Sequence, residues 1–149
     1  MCDKYLGDQN SQIYETTSTG KQLVSVAEAF SPEIKLIFLY FSKHDCKPCQ
    51  EFTPVMAHLY EEQTPKSFEV VFMSADPTLP EYDSYFAEMP WLAIPWKDQR
   101  GRDSALAFKV TGLPRMVALR KDSGSVVSDN CLKQIDERGP EAIDELLAA

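Results

Sequence analysis

The strongest constraint on the fold is a nearly unbroken apolar, β-prone run at residues 34–41, Ile34-Lys35-Leu36-Ile37-Phe38-Leu39-Tyr40-Phe41. Such a run reads as a strand buried on both faces, as in the middle of an α/β sheet. Shortly after it come Cys46-Lys47-Pro48-Cys49. Beyond the second cysteine, Phe52, Val55, Met56 and Leu59 recur at i, i+3, i+4 and i+7, which is one face of a helix. The two thiols therefore fall at a strand-to-helix junction, with Cys46 near the helix N-terminus. The unpaired N–H groups there favour negative charge. A thiolate is stabilised in such a place, and the thiolate is the reactive form of cysteine.

The remaining pattern surrounds that junction with alternating elements. Residues 1–22 are polar and weakly patterned and read as a loosely structured extension, irregular or a short hairpin. Residues 25–30 suggest a short helix stopped by Pro32, which lacks the N–H a helix needs. The helix after the cysteines runs to about Gln63, with Pro54 inside it as a kink site. Residues 68–74 are a second strand and 80–89 a helix with Pro80 in its first turn. Residues 90–96 read as a Pro-rich connector. Residues 103–110 read as a helix capped by Asp103 or Ser104. Residues 115–119 are a third strand, and Asp122-Ser123-Gly124 turns it into a hairpin with residues 125–127. A closing helix spans 140–147. Strands separated by helices pair in parallel, and the terminal hairpin adds an antiparallel edge. The predicted class is α/β: a central mixed sheet flanked by helices on both faces, in one domain over residues 1–149.

Charge and cysteine usage narrow the function. A net charge of −8 argues against nucleic acid as a partner, since phosphate contacts need clustered Lys and Arg. No apolar run is long enough to span a bilayer. Residues 1–5 lack a basic region followed by an apolar one, so the expected location is cytoplasmic or nuclear. Disulfides in such a reducing compartment are usually transient and catalytic. Four cysteines, Cys2, Cys46, Cys49 and Cys131, are too few and too scattered for a disulfide scaffold.

Several stretches together resemble the thioredoxin superfamily, and within it the tryparedoxin/nucleoredoxin branch. They are Leu39-Tyr40-Phe41-Ser42, the Cys-x-x-Cys followed by Phe52-Thr53-Pro54, the strand 68–74, the segment Met89-Pro90-Trp91-Leu92-Ala93-Ile94-Pro95, and Gly112-Leu113-Pro114. The likeness covers roughly residues 20–128, and 135–142 look more weakly like nucleoredoxin ends. It implies a thioredoxin fold and dithiol–disulfide exchange. Cys46 is then the exposed attacking cysteine, Cys49 the buried resolving one, and Pro114 a cis-proline facing them. The implied activity needs no bound cofactor beyond a redox-active Cys46–Cys49 disulfide and no metal. It needs disulfide-containing protein or small-molecule substrates, and a reductase or a low-molecular-weight dithiol as electron donor. The alternative is a redox-sensitive, nucleoredoxin-like adaptor with weak turnover.

The departures from that branch cluster at the site. Asp45 stands where Trp is usual before the first cysteine, Lys47 where Pro is usual, Ala75 where Trp is usual, and Arg115 where Thr is common after the cis-proline. Tyr40 occupies the place where thioredoxins proper keep a buried acid. Lys47, and Arg115 if it lies across the site, favour the Cys46 thiolate, whereas Asp45 opposes it. Asp45 and Arg115 could be a matched charged pair or two independent surface changes. Losing the flanking Trp removes a flat apolar contact for partners. A charged rim would discriminate among them by charge.

Other residues carry open alternatives. Asp76 ends a strand near the site, where a carboxylate relays protons or is a solvated loop acid. His44 is a surface residue or an electrostatic neighbour of Cys46. His58 reads as surface, and Trp91 and Trp96 as packing. Cys2 and Cys131 read as free thiols. A Cys-x-x-Cys is also half a zinc site, but zinc wants four ligands.

Overall fold

The computed structural model describes residues 2–149. In chain order the elements are α1 (Asp3–Leu6), β1 (Gln12–Thr17), β2 (Gly20–Ser25), α2 (Val26–Ala29), β3 (Leu36–Ser42), α3 (Lys47–Glu62), β4 (Phe68–Ser74), α4 (Leu79–Phe86), β5 (Leu92–Ala93), α5 (Gln99–Ala107), β6 (Arg115–Arg120), β7 (Val126–Ser128), α6 (Leu132–Arg138) and α7 (Pro140–Ala148). The strands form one seven-stranded sheet in the order β2-β1-β5-β4-β3-β6-β7. β3–β4 and β4–β5 pair in parallel, and β1–β2, β1–β5, β3–β6 and β6–β7 antiparallel. The mixed sheet with helices on both faces is a thioredoxin fold.

β3 is central, and all seven of its residues are buried. Successive side chains alternate between faces, so one strand feeds two cores. Leu36, Phe38 and Tyr40 join Phe52 and Met56 of α3, Tyr82 and Phe86 of α4, and Ile143 and Leu146 of α7. Ile37, Leu39 and Phe41 join Cys2, Tyr5, Leu6, Ile13 and Val26 on the other face. The segment forms the short hairpin β1–β2, one of the two alternatives, and this second core explains why residues 1–22 are docked and not loose. A few apolar side chains in a polar stretch dock as α1 and β1. Arg100 then ties the segment down by donating to the carbonyls of Leu6 (2.7 Å) and Gln12 (2.6 Å).

Two further elements differ from the sequence reading. The Pro-rich connector contains β5, only two residues long, which joins β1 to β4. Two residues between prolines carry no period to read. The helix after it begins at Gln99, and its cap is Asp98, whose carboxylate accepts from Arg100 N. Asp103 and Ser104 lie inside that helix. Both Leu113–Pro114 and Thr64–Pro65 are cis.

Glu69 is a buried carboxylate (7% exposed) on β4. Its Oε1 accepts from Tyr60 Oη at 2.8 Å and from Val70 N. Lys66 and Glu15 are the charges that face it. Burial pushes its pKa up to about 7 despite these hydrogen bonds. The folded state thus holds a proton that the unfolded chain releases near pH 4.5. Stability should fall as pH rises from about 4.5 to 7, because the ionised form must be buried. Glu69→Gln should flatten that fall, with urea midpoints at pH 5 and pH 8 differing less than in the wild type.

Candidate redox site at the end of the central strand

The chain leaves β3 at Ser42, crosses residues 43–46 and enters α3. Cys46 is the N-cap residue, with extended backbone (φ −157°, ψ 109°), and its sulfur accepts from Cys49 N at 3.4 Å. Pro48 falls in the first turn, where no N–H is needed. Lys47 and Pro48 are exposed, Cys46 is half-buried and Cys49 is fully buried. The two sulfurs are joined as a disulfide, with Cα atoms 5.2 Å apart. Cys46 Sγ lies 3.9 Å from the carbonyl oxygen of Leu113. The cis Leu113–Pro114 segment therefore faces the disulfide from the loop just before β6.

Below Cys49 runs a chain of four buried hydroxyls. Tyr40 Oη is 2.7 Å from Thr53 Oγ1, Thr53 Oγ1 is 2.7 Å from Tyr85 Oη, and Tyr85 Oη is 2.6 Å from Ser42 Oγ. Thr53 also donates to the carbonyl of Cys49 at 2.9 Å. One arrangement satisfies every proton: Ser42 donates to Tyr85, Tyr85 and Tyr40 donate to Thr53, and Thr53 donates to Cys49. Burial, reinforced by Tyr85, pushes the Tyr40 hydroxyl far above an ordinary phenol. The group beneath the buried cysteine is thus neutral and polar. Tyr40 was legible in the sequence. Thr53 had a signal in its i+4 spacing from Cys49. Tyr85 had none, because it arrives from α4.

Asp76 is buried (6% exposed), not a solvated loop acid. Its Oδ1 accepts from the backbone N–H of His44 at 2.7 Å and its Oδ2 from Ser74 Oγ at 2.7 Å. It thereby fixes the loop two residues before Cys46. Gln50 Nε2 braces the same loop by donating to the His44 carbonyl. The His44 ring packs against Tyr85 at 5.6 Å. Asp76→Ala should cost about 1–3 kcal/mol, because it strands a buried donor. Asp76→Asn, which keeps an acceptor for His44, should cost less. Urea midpoints together with the alkylation rate of reduced Cys46 check both.

Arg115 and Asp45 are not a matched pair. Arg115 shares the strand parity of Val117 and Leu119, whose side chains enter the second core. Its Nε donates to the Asp129 carbonyl at 2.9 Å and its Nη1 to that of Lys109 at 3.3 Å. Asp45 is exposed and forms no ion pair within 4.0 Å among the described residues. The pleat sends Arg115 away from the face that α3 covers, a direction that chain order alone does not reveal.

The other cysteines behave differently. Cys2 and Cys131 are buried and unpaired. Burial pushes their thiols up to about 11 and about 12, so neither supplies a thiolate at neutral pH. Among the described residues, no group of three or more His, Cys, Asp and Glu is placed to hold a metal ion.

A family model described as "Thioredoxin-like" matches residues 33–126. The chain is 39% identical over 106 residues to tryparedoxin of Trypanosoma brucei brucei, covering 69% of this chain and 73% of that protein. It is 38% identical over 97 residues to probable nucleoredoxin 1 of Arabidopsis thaliana. That match takes in 64% of this chain but only 17% of the plant protein's length, so the chain spans a small part of that relative. The crystal structure of native tryparedoxin I from Crithidia fasciculata superposes with a TM-score of 0.80 at 30% identity, covering 93% of both chains.

Proposed function

Because the chain belongs to the thioredoxin-like family, with tryparedoxins and nucleoredoxins among its relatives, we propose that it reduces protein or small-molecule disulfides by dithiol exchange through Cys46 and Cys49. The observation that carries this reading is the pairing of a half-buried and a fully buried cysteine across the first turn of α3. An unperturbed thiol is only about 3% thiolate at pH 7. A thiol at a helix N-terminus has a lower pKa, and Cys46 is that residue.

The Cys46 thiolate attacks one sulfur of the substrate disulfide. The substrate S–S bond breaks as the Cys46–S bond forms, and the departing thiolate takes up a proton. Cys49 then loses its proton and attacks Cys46 Sγ. The second substrate thiol leaves, and the protein is left with the Cys46–Cys49 disulfide. A reductase or a low-molecular-weight dithiol returns two electrons. Pro114 and the Leu113 carbonyl line the approach to Cys46. Asp76 positions the loop, and Tyr40 holds the Cys49 end of the helix. Lys47 favours the thiolate and Asp45 opposes it. Arg115, turned away from the disulfide, braces the loops around β6 through the carbonyls of Lys109 and Asp129. A reducing compartment, cytoplasm or nucleus, suits a protein with two unpaired thiols.

The second reading, an adaptor with weak turnover, draws on the exposed Asp45 in place of an aromatic contact. Titration against thiol/disulfide buffers tests the first. A reversible two-electron transition between about −300 and −120 mV is expected. No disulfide across that span leaves the adaptor.

A further inference from the structure

The parallel strands β3, β4 and β5 all end on one rim of the sheet. In open α/β sheets that rim, outside the carboxyl ends of the strands, is where ligands bind. The disulfide occupies it beyond β3. Beyond β4 and β5 lies a groove of about 280 Å³ between residues 74–77, residues 94–98 and the first turns of α5. Its apolar lining includes Pro77, Ile94, Pro95 and the half-buried ring of Trp96. It is smaller than the usual range of small-molecule sites, roughly 300–1,000 Å³, and suits one or two side chains.

The groove is mechanically part of the redox site. Trp96 Nε1 donates to the Asp76 carbonyl at 2.9 Å. The Asp76 carboxylate in turn holds His44, next to Asp45 and Cys46.

Its lining carries two acids and two cations, and the exposed pair is the cations, Lys97 and Arg102. The net charge is −8, yet the groove's two acids are already engaged. Asp76 accepts from His44 and Ser74. Asp98 accepts from Arg100 at 2.9 Å through Nε and at 3.0 Å through Nη2. The two exposed cations on its rim, Lys97 and Arg102, have no acidic partner within 4.0 Å among the described residues. Lys97 Nζ lies 4.8 Å from the centre of the Trp96 ring. Screening at physiological salt limits charge effects to about 8 Å, so the groove's own charges, of which Lys97 and Arg102 are the exposed ones, act on an entering group more than the chain's overall acidity does.

We propose that this groove receives an acidic segment of a protein substrate, seating an apolar side chain on Trp96 and a neighbouring carboxylate between Lys97 and Arg102. The proposal rests on the redox reading for the word substrate, but the binding itself does not depend on it. The groove would then select disulfides flanked by Asp or Glu, complementing the loss of an aromatic contact at Asp45.

The probe is a cysteine-free peptide with a Leu-Glu-Glu core, its control the same peptide with Leu-Lys-Lys. Trp96 is half-exposed to the groove and Trp91 is buried, so intrinsic fluorescence reports occupancy. The acidic peptide should give a saturable change that is absent in Trp96→Phe. Arg102→Glu should weaken binding by about fivefold, the scale of exposed charge pairs. The Lys peptide should not bind. No saturable change, equal binding of both peptides, or an unaltered affinity in both Arg102→Glu and Lys97→Glu would overturn the proposal. A second arm uses cystine-containing versions of the two peptides. Faster reduction of the acidic one, lost in Arg102→Glu without a change in redox potential, supports the groove as a specificity site. Saturable binding with reduction of neither peptide would keep the groove and sink the redox reading.

Discussion

Replacing Cys46 with serine should abolish disulfide reduction, by a factor on the order of 10³ or more, as loss of a nucleophile does elsewhere. The reason is access as well as reactivity. Cys49 is fully buried and no external disulfide can reach its sulfur, so the second thiol cannot stand in for the first. Cys49→Ser should behave differently. Attack by Cys46 survives, the reaction stops at the mixed disulfide, and the covalent adduct accumulates. Following free thiols released from a model protein disulfide, with mass analysis of the adducts, separates the two. Activity in Cys46→Ser within tenfold of wild type would show that reduction does not pass through this site.

Phe72→Ala should be a severely damaging change outside the disulfide, lowering stability by about 3–5 kcal/mol. The side chain is fully buried on β4. Its ring meets Tyr85 at 5.4 Å, Tyr82 at 5.8 Å and Phe86 at 6.3 Å, and Tyr40 at 6.4 Å. Truncation opens a cavity beneath both α4 and the hydroxyl chain under Cys49. Rigid rings cannot collapse far to fill it. A loss of this size is a large part of the roughly 5–15 kcal/mol that holds an ordinary domain together. Leu106→Ala, at a side chain 72% exposed, is the control and should move the urea midpoint little. Comparable midpoints for the two variants would contradict this account of the core.

What the sequence disclosed follows from where the physical signal is local. A buried central strand writes its burial into consecutive residues, and 68–74 coincides with β4 for the same reason. The helix after Cys49 shows its apolar stripe, and the thiols at its start need no tertiary information to find. Pro114 was recognised by resemblance, not by periodicity. The hidden parts depend on distant partners. β5 is a strand only because β1 and β4 flank it. Asp98 outcompetes Asp103 as a cap because Arg100 and the N-terminal segment meet there. α6 went unread because one buried residue, Ile135, is too little to show a period. The direction of Arg115 depends on pleat parity, which loop order conceals.

The pairing of β1 with β5, Tyr14 opposite Ala93 and Glu15 opposite Leu92, also orders events in time. The first hairpin leaves the ribosome early, while its seat is translated about 80 residues later. Closing so long a loop costs entropy before any contact repays it. The β3–β4 and β4–β5 pairings, such as Leu36 with Phe68 and Val71 with Leu92, bring nearer segments together and can assemble without the hairpin. The parallel core β3-β4-β5 can therefore consolidate first, with the first hairpin and β6 both annealing onto it across long loops.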